Sequence, residues 1–379
     1  MAGPELDGVP GTPDALTISA VDVLLAPGSG TVAGAREATA DFKVCHAMRV
    51  AHELELWGNL DRCPTLAEAV EFWRGNEYEE RQLYLARLGR EPVGFCSVTL
   101  PLRENTHTAG IDVLVSPAHR RRGLGRILRE HAETVARERG RTSLDAYHEV
   151  PLEYADGAVL LPAKSGAGGL PLTAPAVAFA LVSGYELEQV ERSSRLELPV
   201  PPELLDHLEA EASSRAAGYG LTGWDDHCPE TLVDAFARLK ARMTEDVPIA
   251  GMDWEGEDWD AARVREEERT LLGGGVQSAV TAALHLSTGE LVAYTVLNWR
   301  PGVPDTIAQQ DTLVAGGHRG HRLGLLVKLA NLRRAQDRWP SARSVLTWNA
   351  IENQHMLAIN IALGFRPAGY EGEWQKRLG

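Results

Sequence analysis

No two cysteines of this sequence stand close enough to share a metal. Cys45, Cys63, Cys96 and Cys228 are scattered, with no CxxC pair and no histidine at ligand spacing, so neither a metal site nor a disulfide framework is expected and reduced thiols remain. Basic charge is also scarce. The 38 Lys and Arg residues are outnumbered by 53 Asp and Glu, for a formal net charge of −15, and such a chain repels a phosphate backbone, so no nucleic-acid partner is expected. The acidic surplus reads as a solubilising surface or as an attraction for a cationic amine. Apolar runs stop well short of the roughly 18 residues of a membrane span, so no membrane contact is expected. The opening, MAGPELDGVPGTPDA, lacks the basic start and apolar stretch of a secretory leader. A cytoplasmic location is the expectation, and oligomeric state has no signature.

What is present suffices for two cores. At 379 residues, with 44% hydrophobic and 24% charged, the chain exceeds what one core usually organises. After a flexible N-terminus over residues 1–15, the apolar run Leu16–Leu25 predicts a strand, and Val44, Met48 and Ala51 fall at helical spacing within a predicted helix over 38–57. Strands are expected at Gln82–Leu88 and Val93–Leu100, around the turn Gly89–Pro92, and again at Gly110–Val115. That last strand leads through a basic, glycine-bearing turn, Arg120 to Arg126, into an amphipathic helix over 127–139.

The same order recurs. Strands at Thr281–Leu286 and Leu291–Leu297 flank a Ser-Thr-Gly-Glu turn, and Gln310–Val314 leads through Arg319-Gly320-His321-Arg322-Leu323-Gly324 into a helix over 325–337. The halves close alike, on Ser183-Gly184-Tyr185 and Leu363-Gly364-Phe365. The proline-rich stretch Leu198-Pro199-Val200-Pro201-Pro202 favours an extended linker. The expected organisation is an N-terminal domain over 16–198 with an insertion near 148–175, a linker over 199–203, and a C-terminal domain over 204–379.

A glycine-bearing turn opening a helix is suited to phosphate, because unpaired helix amides and the dipole favour an anion and glycine permits close approach. The surrounding arginines would add charge-assisted contacts; a solvated basic turn is the alternative. The P-loop ending and an early GxGxxG βαβ unit are both missing.

Arg120-Arg121-Arg122-Gly123-Leu124-Gly125 matches the pyrophosphate motif (Q/R)xxGx(G/A). On these residues, and on the repeated strand, turn and helix, the chain resembles the GNAT N-acyltransferases in a tandem arrangement. The resemblance implies an α/β (α+β) fold of two tandem GNAT domains, each a mixed, splayed sheet flanked by helices. It implies acetyl-CoA, or another short acyl-CoA, as co-substrate, no metal, and a small-molecule amine attacking directly in a ternary complex. Backbone groups of Val113, Leu114 and Val115, and of Thr312, Leu313 and Val314, would meet the pantetheine and acyl carbonyl. The pyrophosphate would lie against Arg120, Arg121, Arg122, Gly123, Leu124, Gly125 and Arg126, and against Arg319, Gly320, His321, Arg322, Leu323, Gly324 and Leu325.

The copies depart from the family pattern in different ways. Arg322 stands where a glycine is usual, so the first loop is expected to hold the nucleotide end more tightly. Asn353 fits a pantetheine contact in the second copy, or a helix N-cap. The place of the family's tyrosine acid holds Asn360 in the second copy and Ala180 in the first, leaving solvent, Tyr294 or Tyr370 for that role. Asp112 and Asp311 are candidate bases, or structural strand acids. Asp253, Trp254 and Glu255, in an acidic stretch with aromatic residues, are a candidate cation site or a solvated run. A non-catalytic acyl-CoA-binding or scaffold protein, or one with a single catalytic half, is the alternative to an enzyme of two working copies.

Overall fold

The computed structural model describes residues 15–25 and 37–378; the expected flexible start lies, apart from Ala15, outside them. The first half runs β1 (Leu16–Ala20), α1 (Ala40–Trp57), α2 (Leu66–Trp73), β2 (Glu79–Leu88), β3 (Glu91–Pro101), β4 (Thr108–Val115) and α3 (Leu124–Glu138). It continues with β5 (Ser143–Val150), β6 (Leu160–Pro162), β7 (Gly169–Pro171), α4 (Pro175–Val182) and β8 (Glu186–Glu197). The second half begins α5 (Pro202–Ser213), β9 (Tyr219–Asp225), α6 (Val233–Asp246), α7 (Ala261–Gly273), β10 (Gln277–His285) and β11 (Glu290–Trp299). It ends β12 (Thr306–Val314), α8 (Leu323–Arg338), β13 (Ser344–Ala350), α9 (Gln354–Leu363) and β14 (Arg366–Arg377).

Local chemistry accounts for the main boundaries. Thr39 caps α1 by accepting from the Phe42 amide at 3.1 Å, which holds the chain to a helical start there. Thr65 and Glu68 close a reciprocal capping box on α2. The helix α3 starts at Leu124, three residues before the periodic stretch, because Gly123 takes a left-handed conformation (φ 84°) that turns the chain directly into it. The expected insertion is not structureless: it folds β6 and β7 into a small antiparallel hairpin.

Twelve strands of the described residues form one sheet in the order β1-β2-β3-β4-β5-β14-β8-β13-β12-β11-β10-β9. The halves exchange their last strands. β14 pairs with β5 of the first half, Tyr370 opposite Val150 through Arg377 opposite Ser143, while β8 pairs with β13 of the second, Ser344 opposite Glu197 through Ala350 opposite Glu191. A cut at the 199–203 linker would therefore leave each half without the strand that completes its sheet, and expose a long unpaired edge.

The second half carries apolar cores on both faces of its strands. On one, Leu325, Leu329 and Leu332 of α8 meet Ala279, Val292 and Ile307; on the other, Phe236, Leu239 and Val264 of α6 and α7 meet Val280, Tyr294 and Val296. Burial on both sides explains why β10 and β11 read as continuous apolar runs.

Candidate active site

The two parallel strand pairs open like a wedge. β4 meets β5 only over Thr108–Gly110 against Ser143–Asp145, and β12 meets β13 only over Thr306–Ala308 against Ser344–Leu346. Past those residues each pair parts, leaving residues 112–115 and 311–314 without a strand partner on the open side. At the mouth of each wedge stands a helix N-terminus, of α3 or α8, with no side-chain cap. Uncapped first-turn amides and the dipole suit both ends to an anion.

The two loops are closer in conformation than their sequences suggest. Each has two left-handed residues, Arg121 (φ 64°) and Gly123 (φ 84°) in one, Gly320 (φ 85°) and Arg322 (φ 58°) in the other. Each thus has one glycine and one arginine at these positions, and the conformational penalty assigned to Arg322 is matched by Arg121. The Arg322 guanidinium turns to Glu211 on α5 at 2.6 Å. Arg120 and Arg319 are mutual counterparts: each Nε donates to the last carbonyl of its strand, Val115 or Val314, and each guanidinium is held by a carboxylate, Glu55 or Asp246.

The halves differ inside the wedge. β3 and β4 pair without a break, but β12 carries one residue more than its partner, so that Val296 faces both Gln310 and Asp311. This β-bulge is braced from within: Gln309 Nε2 donates to the Val296 carbonyl at 2.8 Å and lies 3.3 Å from those of Gln310 and Asp311. A bulge re-aims backbone groups and side chains at the point where pairing stops. Here it turns Asp311 to the junction of two cavities.

The larger, about 1050 Å³, runs from the α8 loop along β12 to the start of α9. The smaller, about 400 Å³, lies between α6, α7 and the sheet, and the α1–α2 connection supplies Asp61, Arg62 and Pro64 to its wall. Gln310, Asp311 and Trp348 line both. Asp311 Oδ2 accepts from Tyr294 at 3.0 Å and from Lys240 at 3.3 Å, and Lys240 is shared with Glu267 at 3.0 Å. Burial, then the Asp311 charge, pushes the Tyr294 phenol well up, so it stays protonated and positions Asp311. In the first half Arg49 pairs with Asp112 and Phe95 replaces the tyrosine.

Beside this junction, Glu371 lies in register between Glu149 and Glu191 on the central strands. Burial, followed by neighbouring carboxylates, pushes Glu191 up to about 7 and Glu373 up to about 8, and Glu371 well above the usual range. A raised folded value means stability that is full below the ordinary pKa of 4.5 and lost as pH rises through about 8. Glu373→Gln is therefore expected to be nearly neutral near pH 4.5 and stabilising above pH 8, by more than ~1 kcal/mol, since each tenfold change in proton affinity is worth about 1.4 kcal/mol. Denaturant unfolding at the two pH values reads this, and an equal effect at both would contradict it.

The remaining residues singled out from the sequence fall as follows. Thr312, Leu313, Val314, Arg319, Gly320, Arg322, Leu323, Gly324, Leu325 and Asn353 line the larger cavity; His321 does not. The Asn353 side chain caps α9, accepting from Met356 N at 3.2 Å. Asn360 is buried in α9 and donates to Asn349 at 2.7 Å. Arg120 to Arg126 and Val113 to Val115 surround the equivalent first-half wedge, where Phe179 packs 3.4 Å from the position of a Gly125 Cβ. Asp253, Trp254 and Glu255 line neither cavity. They strap onto the first half instead: the Asp253 carbonyl meets His107, Trp254 donates to Asp145, and Glu255 N donates to Asn105. Tyr370 sits in β14 and lines neither cavity. Lys240, Gln309, the α1–α2 connection and the bulge were not legible as parts of the site.

Residues 49–155 match the acetyltransferase (GNAT) family. A tandem GNAT protein from the clavulanic acid biosynthesis pathway, solved without AcCoA, aligns with 96% of this chain and 99% of its own at 27% identity, with a TM-score of 0.69. A GCN5-related N-acetyltransferase from Sphaerobacter thermophilus aligns with 97% of this chain and 98% of its own at 14% identity, with a TM-score of 0.60, a likeness of fold. No curated protein matches the chain in sequence. In its duplicated splayed sheet the chain resembles that tandem GNAT protein over nearly its whole length, and its residues 49–155 match the GNAT family.

Proposed function

We propose that the chain transfers an acyl group, acetyl in the first instance, from acyl-CoA to the amine of a small molecule, and that the second half carries the reaction. The observation behind this reading is the meeting of the two cavities at the bulged Asp311. Acyl-CoA fits the larger, with its pyrophosphate at Gly320–Leu323 and its pantetheine in the wedge beside β12. The acceptor fits the smaller.

In that ternary arrangement the amine attacks the thioester carbonyl, a C–N bond forms, and the C–S bond breaks. Asp311 takes the amine proton, directly or through water. Backbone N–H groups freed at the bulge polarise the carbonyl and stabilise the oxyanion. Orientation of two bound reactants lowers the barrier further.

Asn360 and Ala180, in place of a tyrosine acid, favour the second reading, an acyl-CoA binder without turnover. Thiol release from acetyl-CoA, measured against a panel of primary amines, separates them. Amine-dependent release is expected; acetyl-CoA binding without release from any amine would support the binder.

A further inference from the structure

A thiolate leaving inside a closed cleft needs a proton or a cation, and the larger cavity of the second half is lined by a buried lysine, Lys328. Lys328 is 4% exposed, lines the cavity of about 1050 Å³, and makes no hydrogen bond or ion pair with any described residue. Its counterpart on α3 is committed to structure: Arg129 donates to the Ser183 carbonyl at 3.1 Å and pairs with Glu130 at 3.1 Å.

Its place is fixed by two contacts between α8 and the segment that follows. A Cβ at Gly324 would touch Ile359 at 3.4 Å, and one turn on, Lys328 Nζ stands 5.7 Å from the centre of the Phe365 ring. The stretch between Ile359 and Phe365 thus runs alongside Gly324 to Lys328, and it contains Asn360, whose Oδ1 is buried without a partner. Of these residues Lys328 and Ile359 line the cavity, while Asn360 and Phe365 are buried and line it at no point.

We propose that Lys328 is the catalytic acid of the second half, its ammonium facing the CoA sulfur. This inference rests on the acyl-transfer reading of the same cleft. As the acceptor nitrogen bonds to the acyl carbon, the electron pair of the breaking C–S bond passes to sulfur, and one Lys328 proton follows it to give the free thiol. The neutral amine of Lys328 is then reprotonated from solvent, while the proton lost by the acceptor goes to Asp311. Burial alone brings the Lys328 amine down to about 7, which makes it a far better proton donor near neutrality than an ordinary lysine. The charged side chains sharing the cleft, Glu191, Asp246, Asp311, Glu352, Arg319 and Arg322, and the imidazoles His318 and His355, do not contribute to that lowering.

The test needs no knowledge of the acceptor. CoA itself is bound to the full chain and to Lys328→Met, and the ionisation of its thiol is followed by the ultraviolet absorbance of the thiolate. In the wild type the Lys328 amine and the thiol should titrate as a pair, so that part of the thiolate appears well below the pH at which an ordinary thiol ionises, about 8.5. In Lys328→Met, with CoA still bound through its phosphates, the thiol should titrate no lower than free CoA. The same titration in both proteins would overturn the inference while leaving the cleft assignment intact. Failure of the wild type to bind CoA would overturn both. Should Lys328→Met not fold, Lys328→Gln gives the same comparison.

Discussion

Asp311→Asn should reduce acyl transfer by about 10²- to 10⁴-fold, the usual contribution of a positioned acid or base, while acyl-CoA affinity stays where it was. The amide keeps the size of the carboxylate and can still accept from Tyr294 and Lys240, so the bulge and the packing around it persist. Lys240 also keeps Glu267 at 3.0 Å, which spares it the cost of an unpaired buried ammonium. What is lost is the ability to take a proton at the point where the cavities meet. Asp112→Asn is the control. That carboxylate is held by Arg49 on a strand that pairs without a bulge, so little change in transfer is expected. Steady-state kinetics with a responsive amine check both, and a fall confined to Asp112→Asn would move the chemistry to the first half.

Gly324→Glu should abolish acyl-CoA binding by the second half. Gly324 lies in the first turn of α8, lines the cleft, and would place a Cβ 3.4 Å from both Ile359 and Val314. A glutamate there has only the cleft to occupy, and brings a negative charge to the place meant for phosphate. The folded state should survive, because an acidic residue near a helix N-terminus is favourable, by about 0.3–1 kcal/mol. Gly125→Glu is the matched change in the first half, against Phe179. It is a cleaner comparison than Gly123→Glu, since Gly123 has φ 84° and any side chain there strains the backbone as well. Calorimetry with acetyl-CoA reads the number of sites lost, and full binding by Gly324→Glu would rule out the second-half cleft as the acyl-CoA site.

The sequence made the duplication legible because strand, turn and helix follow one another locally, and local periodicity is what a single chain displays best. The glycine-bearing turns that open α3 and α8 were legible for the same reason. The exchange of β8 and β14 was not, because pairing partners distant in sequence leave no periodic trace. Arg322 misled for a conformational reason: the loop uses two left-handed residues, and Gly320 relieves the one that Arg121 occupies in the other copy. The acidic stretch looked like a reception site because charge and aromatic rings alternate in it, yet its backbone and Trp254 are spent on bonds to the first half. Asp311 was visible as a strand acid, but its setting depends on a bulge, on Lys240 from α6 and on Tyr294 from β11, which only the folded sheet assembles. Lys328 reads from sequence as an ordinary helix-surface lysine, and only its burial without a partner marks it.

The most direct measurement is a crystal structure with a thioether analogue of acetyl-CoA, which cannot be cleaved. Pyrophosphate is expected at Gly320–Leu323, the pantetheine between β12 and β13, and the acyl carbonyl within hydrogen-bond reach of backbone N–H groups at the 310–312 bulge. An analogue bound only at Arg120–Arg126, with the second-half cleft left open at saturating concentration, would overturn the assignment of the reaction to the second half.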